Sequence, residues 1–206
     1  MNLIIQQISK NFGNVCFQIL DETNSQVGVI NVTAKDLQLN TITSVSAYGR
    51  GLTLHWMPGI KAFFDNPYKR LTLRPFGMYS ISGDLGEGRV FRRFVKRNFL
   101  IRYFQQTMVL NNGLYKVYSA SFGKQGSKSA VYRNDVRIAN IYKGYKVIDD
   151  VHSFTLEILD TNYILDSLAI LAHLYLTVYH SVNQTTKGVQ VSDITTKDEY
   201  ILERVR

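Results

Sequence analysis

The chain has a single cysteine, Cys16, in 206 residues, so no internal disulfide can form, and no Cys/His cluster has the spacing of a structural zinc site. Three prolines exclude a proline-rich linker. No apolar run reaches the ~20 residues that a bilayer crossing requires. The longest, Leu168 to Tyr179, contains His173 and is preceded by Asp160 and Asp166. Met1-Asn2-Leu3-Ile4-Ile5-Gln6-Gln7 lacks the basic stretch and apolar core of a signal peptide, and Val205-Arg206 is no prenylation box. Those absences lead to the expectation of a cytoplasmic protein. With 45% hydrophobic and 19% charged residues the composition is globular. At about 1.4 times a common domain length, the chain can bury a full core without a staple.

What the chain does have is positive charge, +8 overall, and it is concentrated. Residues 1 to 49 carry a net −1 and residues 103 to 206 a net +1, whereas residues 50 to 102 hold eleven basic against three acidic groups. The dense part is Arg89, Arg92, Arg93, Lys96, Arg97 and Arg102, interleaved with Phe91, Phe94, Phe99, Tyr103 and Phe104. A local excess of this kind points to a polyanion: an anionic membrane surface, a phosphorylated ligand or nucleic acid. A turn near Lys96-Arg97-Asn98 places these charges on a hairpin and turns the phenylalanines inward, which disfavours a base-stacking platform.

Period-two alternation predicts about a dozen strands. Val15–Leu20 and Val27–Val32 form a hairpin around Asp21-Glu22-Thr23-Asn24-Ser25-Gln26. Further strands are predicted at 51–56, 70–74, 78–82, 89–94, 98–105, 114–121, 130–133, 136–139, 145–148 and 153–159. Asn134-Asp135 is a two-residue type I′ turn candidate, because both residues tolerate positive φ. This density of short strands indicates a barrel or a sandwich.

One segment decides between them. From about Asn162 to His180 there is no alternation, and Leu, Ile, Ala and Tyr occupy nearly every angular position. A helix apolar all round must be enclosed on all sides, and in a chain of strands the natural enclosure is a closed sheet. The expected architecture is a mainly β barrel over residues 1–182 around a central helix, followed by a tail at 183–206. Thr196-Lys197-Asp198-Glu199 is a capping-box candidate for a short docked helix in that tail.

Tyr115-Lys116-Val117-Tyr118, the loop Phe122-Gly123-Lys124-Gln125-Gly126 and the run Ala130 to Ile141 resemble the bacterial tubby C-terminal-like proteins. Phe154-Thr155-Leu156-Glu157-Ile158-Leu159-Asp160 and the apolar helix continue the match, which covers about residues 77 to 180. That superfamily includes the tubby domain, the phospholipid scramblases and the LURP-one-related proteins. The resemblance implies a roughly twelve-stranded barrel around a hydrophobic helix, and it favours anionic lipid headgroups or a phosphorylated partner for the basic segment. Two departures stand out: 26 residues follow His180, and no acidic cluster matches the scramblases' calcium segment. No basic residue here aligns with the lipid-binding positions of the tubby domain, so none is carried over.

The remaining candidates are weaker. Asp166, His173 and His180 recur every seven residues and form one polar stripe on the helix. Two turns separate neighbours by roughly 10 Å, too far for one metal, but the stripe can line a polar pocket for a small ligand or an enzyme's chemistry. Gly123-Lys124-Gln125-Gly126-Ser127-Lys128 lacks Walker spacing and reads as an inter-strand loop. Cys16 is expected in the core. No cofactor, metal or catalytic residue is indicated. The leading expectation is a binding module that meets anionic headgroups or a phosphorylated partner through its basic segment.

Overall fold

The computed structural model describes residues 1–11, 14–34, 41–57, 76–96, 102–122, 125–144, 151–179 and 203–205. Twelve antiparallel strands close into one barrel. They are β1 (Asn2–Asn11), β2 (Asn14–Leu20), β3 (Gln26–Ala34), β4 (Thr41–Ala47), β5 (Arg50–Trp56) and β6 (Phe76–Gly83). Then follow β7 (Gly88–Lys96), β8 (Arg102–Leu110), β9 (Gly113–Ser121), β10 (Ser127–Arg133), β11 (Val136–Lys143) and β12 (Ser153–Ile158). Every strand pairs with its sequence neighbour, and β1 pairs with β12 to close the wall, Leu3 opposite Leu156.

The alternation works as expected where the inside is apolar. Val15, Phe17 and Ile19 of β2 are buried while Cys16 between them is half-buried on the outer face. This corrects the expectation of a core cysteine: the interior side of β2 is already taken by its three larger neighbours. Two strands at 70–74 and 145–148 lie outside the described residues, whereas β1 and β4 were not anticipated. Tight turns gather at one end. Asn134 and Asp135 both take positive φ (48° and 68°), as predicted, and so do Tyr48-Gly49 and Asn111-Asn112 in the β4–β5 and β8–β9 turns.

One helical segment of 19 residues, Thr161–Tyr179, occupies the interior. A 3-10 turn (Thr161–Tyr163) capped by Asp160 leads into α1 (Ile164–Leu174), which passes into a π-helical turn (Tyr175–Tyr179). All residues of α1 after Ile164 are buried. Leu168, Ile170 and Leu171 pack in one cluster with Ile5, Ile30, Leu54 and Val117 of the wall. Burial of each such side chain stabilises by ~1.5–3 kcal/mol. At 1.5 Å per residue the segment is about 28 Å long, and strands of up to ten residues match that length. Near its exit, Tyr175 meets Phe17 edge-on at 4.8 Å and Tyr179 meets Phe154 at 5.4 Å.

The helix enters from the end where the tight turns lie and exits at the end where β1 meets β2 and β7 meets β8. That polarity orders everything below.

Candidate functional site

Among the described barrel residues, carboxylates are confined to one end. At the helix-entry end, turns and strand ends carry Asp21, Glu22, Asp84, Glu87, Asp135 and Asp160, with Glu157 and Asp166 close behind, mixed with Arg50, Arg89, Lys116, Arg133 and Arg137. The strand halves at the opposite, exit end carry Lys10, Arg92, Arg93, Lys96, Arg102, Lys128 and Lys143 and, among the described residues, no carboxylate. Lys96 and Arg102, described in backbone only, sit directly opposite each other at the end of the β7–β8 ladder.

The basic residues singled out from the sequence do not share one face. Arg89 is half-buried on the outer wall, beside Phe91 and Ser80 in a groove of about 920 Å³ running across β5 to β8. Arg93, also outward, clasps the Gln105 Oε1 through Nε (3.0 Å) and Nη2 (2.5 Å). Arg92 points the other way: its Nη1 donates to the Thr177 carbonyl at 3.2 Å. Strand alternation turns Arg92 inward between Phe91 and Arg93, where it meets the negative end of the helix dipole and a carbonyl of the last turn. Arg97 lies outside the described residues. Phe91 is buried, yet on the outer face with Met57 and Met78 rather than in the interior, because Val90 takes the inward position. Phe94, Tyr103 and Phe104 are described in backbone only, and Phe99 lies outside the described residues.

The helix stripe resolves into two separate anchorages, and His180 lies outside the described residues. Asp166, 5% exposed, accepts a hydrogen bond from the Tyr115 hydroxyl at 2.5 Å. Arg133 Nε donates to the same hydroxyl at 3.1 Å, and its Nη1 donates to the Tyr163 hydroxyl at 3.0 Å. The guanidinium stacks over both rings, at 5.8 Å and 4.9 Å. Burial holds the Asp166 carboxyl above its ordinary range, against the opposing pull of the Tyr115 hydrogen bond. Burial, with the neighbouring carboxylate, pushes the Tyr115 phenol well above its usual value.

His173, fully buried, is held on the far side of the barrel. The Gln106 amide Nε2 lies 2.7 Å from the His173 Nδ1 and donates to the Ile170 carbonyl at 2.8 Å. With the amide as donor, Nδ1 is the acceptor and the ring proton sits on Nε2. Tyr79 packs edge-on to the imidazole at 5.5 Å, and its hydroxyl is raised to about 12 by burial. Asp166 and His173 therefore fasten the helix to β9 and β10 at one level and to β6 and β8 at another. Neither the groove on β5 to β8 nor a smaller cavity at the exit rim is lined by them.

That smaller cavity, about 330 Å³, lies between β11 and β12 and is lined by Tyr142, Lys143, Ser153, Phe154 and Thr155 among others. Lys143 is the residue that sequence reasoning missed. It is 5% exposed, its Nζ sits 5.4 Å from the Phe154 ring centroid, and a 3.4 Å contact with the Gly144 carbonyl is its hydrogen bond. Burial lowers its amine to about 8. The signal was present: continuing the alternation of Ala139 and Ile141 puts Lys143 on the inward side of β11.

Among the described residues, no three His, Cys, Asp or Glu side chains are grouped to hold a metal, and no helix is long and apolar enough to cross a membrane. The described parts define a closed antiparallel barrel with an internal helix and one basic end. No protein-family model, no curated protein and no solved structure matches the chain.

Proposed function

We propose that the protein is a non-enzymatic binding module of the tubby C-terminal-like type, whose basic barrel end meets anionic lipid headgroups at a cytoplasmic membrane surface. The observation that carries this reading is the segregation of charge: seven cationic residues and no described carboxylate on the strand halves at the helix-exit end. Arg92 and Lys143 do not belong to the contact surface, the first being committed to the helix end and the second buried beside Phe154. Each remaining Lys or Arg brought to an anionic surface contributes about 1 kcal/mol. No single stereospecific site is required, because attraction of this kind sums over the whole end of the barrel.

The test is co-sedimentation with vesicles of neutral lipid alone and with vesicles containing an anionic lipid, over a salt series. The protein should pellet with anionic vesicles at low salt and be released as the screening length contracts from ~10 Å at 0.1 M to ~3 Å at 1 M. Equal pelleting with neutral vesicles, or none at low salt, would refute the reading.

A further inference from the structure

The outer face of β9 and β10 carries a feature that the barrel itself does not need. Tyr118, Ala120, Ala130 and Tyr132 all point outward and form an apolar patch separate from the core. The two tyrosines meet edge-on at 5.5 Å, and the two alanines leave a shallow floor beside them. Val205 from the end of the chain is buried there completely, in the helical turn Glu203-Arg204-Val205.

The recognition is detailed for so few residues. The Arg204 guanidinium lies 5.8 Å from the Tyr118 ring and 5.4 Å from the Tyr132 ring. The Tyr132 hydroxyl donates to the Arg204 carbonyl at 2.9 Å, and Arg137 Nη2 donates to the Val205 carbonyl at 3.1 Å. Arg137 is itself oriented by Asn140 Oδ1, to which Nε donates at 2.8 Å. Thus both side chains and both carbonyls of one dipeptide are bound by side chains of the wall. Reading side chain and backbone together is how proteins recognise short peptides. A plain hydrophobic cover for the patch would require only the valine.

We infer that this face is a peptide-docking site for an arginine followed by a small aliphatic residue in a helical turn, occupied here by the chain's own Arg204-Val205. The partner is a protein segment of that chemistry, which displaces the chain's own end. Residues 180–202 join the occupant to the barrel. A site and an occupant on one chain meet at an effective concentration of order 1 mM. The occupant is therefore a competitor that a separate segment must outbid.

The experiment uses the full chain carrying Arg204→Ala and Val205→Asp, which keeps every residue of the barrel and vacates the site. The probe is a labelled synthetic peptide of residues 198–206, followed by fluorescence polarisation. It should bind the double variant saturably, and the unaltered full chain about tenfold more weakly if the intrinsic Kd is about 0.1 mM. Tyr132→Ala in the double variant should abolish binding, as should Arg204→Ala in the peptide. Circular dichroism establishes that each variant is folded, and a chain ending at residue 202 serves as the vacated form should the double variant fail to fold. Absence of saturable binding to a folded, vacated protein up to about 1 mM peptide would overturn the inference. So would equal affinity for the vacated and unaltered chains.

Discussion

Lys143 is an ammonium buried inside a barrel end with a ring and one carbonyl for company, and replacing it should stabilise the protein. Its amine falls from an ordinary 10.5 to about 8 through burial. At 1.36 kcal/mol per pH unit, that difference corresponds to about 3 kcal/mol of disfavoured charge. Residual contact with solvent reduces it to about 2 kcal/mol. The sign follows from proton counting. Between about 8 and 10.5 the unfolded chain holds the proton that the folded chain has released, so stability rises with pH across that window. Below about 8 both states are charged and the full penalty is present. Lys143→Met keeps the stem's volume beside Phe154 and removes the charge. Urea unfolding of both proteins at about pH 7 and about pH 9.5 should show the variant more stable by about 2 kcal/mol at the lower pH, with the gap closing at the higher. Other groups shifted by burial, Cys16 upward and Lys128 downward, are common to both proteins and cancel in the difference. A gap of zero at about pH 7, or one that does not change with pH, would refute the claim that Lys143 carries its charge out of water.

Two further outcomes follow from the wall. Tyr115→Phe removes the hydroxyl that donates to Asp166 and accepts from Arg133. It should cost about 2 kcal/mol in urea unfolding, because the carboxylate stays buried without that donor. Gly28→Ala should cost about 3 kcal/mol and depress the thermal midpoint, since a Cβ there would lie 2.1 Å from the Ser46 carbonyl oxygen across the β3–β4 ladder. A wild-type melting curve for Gly28→Ala would mean that β3 and β4 are less closely apposed than described.

The barrel was legible because its enclosure is forced by the helix: Leu165 to Leu174 has no polar side wide enough to face water. The strand count came out at twelve, but not from the same twelve strands. β1 hid because Ile4, between the buried Leu3 and Ile5, and Ile8, after the buried Gln7, are exposed, which blurs its alternation. β4 hid because its inward side is Thr41, Thr43, Val45 and Ala47, small and half polar, so the hydrophobic contrast is weak. The site was less legible. Arg92 and Arg93 are adjacent and identical in type, yet one caps the helix from inside and the other clasps Gln105 outside. Composition along a segment cannot separate two faces of a strand; register can. The seven-residue spacing of Asp166 and His173 suggested one stripe, but the barrel surrounds the helix, and each side chain found a different wall.

The enclosure also limits where function can reside. Asp166, His173, Tyr115, Arg92 and the Gln106 amide nitrogen are engaged with one another, with the helix backbone or with the wall. Their role is to fix the helix's rotation and depth, which an apolar interface alone leaves free to slip. On the proposed reading, recognition falls to the outside and the rim, where two surfaces of unlike chemistry are available. Among the described residues the exit end offers cations and no carboxylate, which suits a diffuse anionic surface on the proposed reading. The β9–β10 face offers aromatic walls and directed hydrogen bonds, suited to a short defined segment. A salt series separates them: screening should release the first contact and leave the second, built on ring stacking and a buried valine, largely intact.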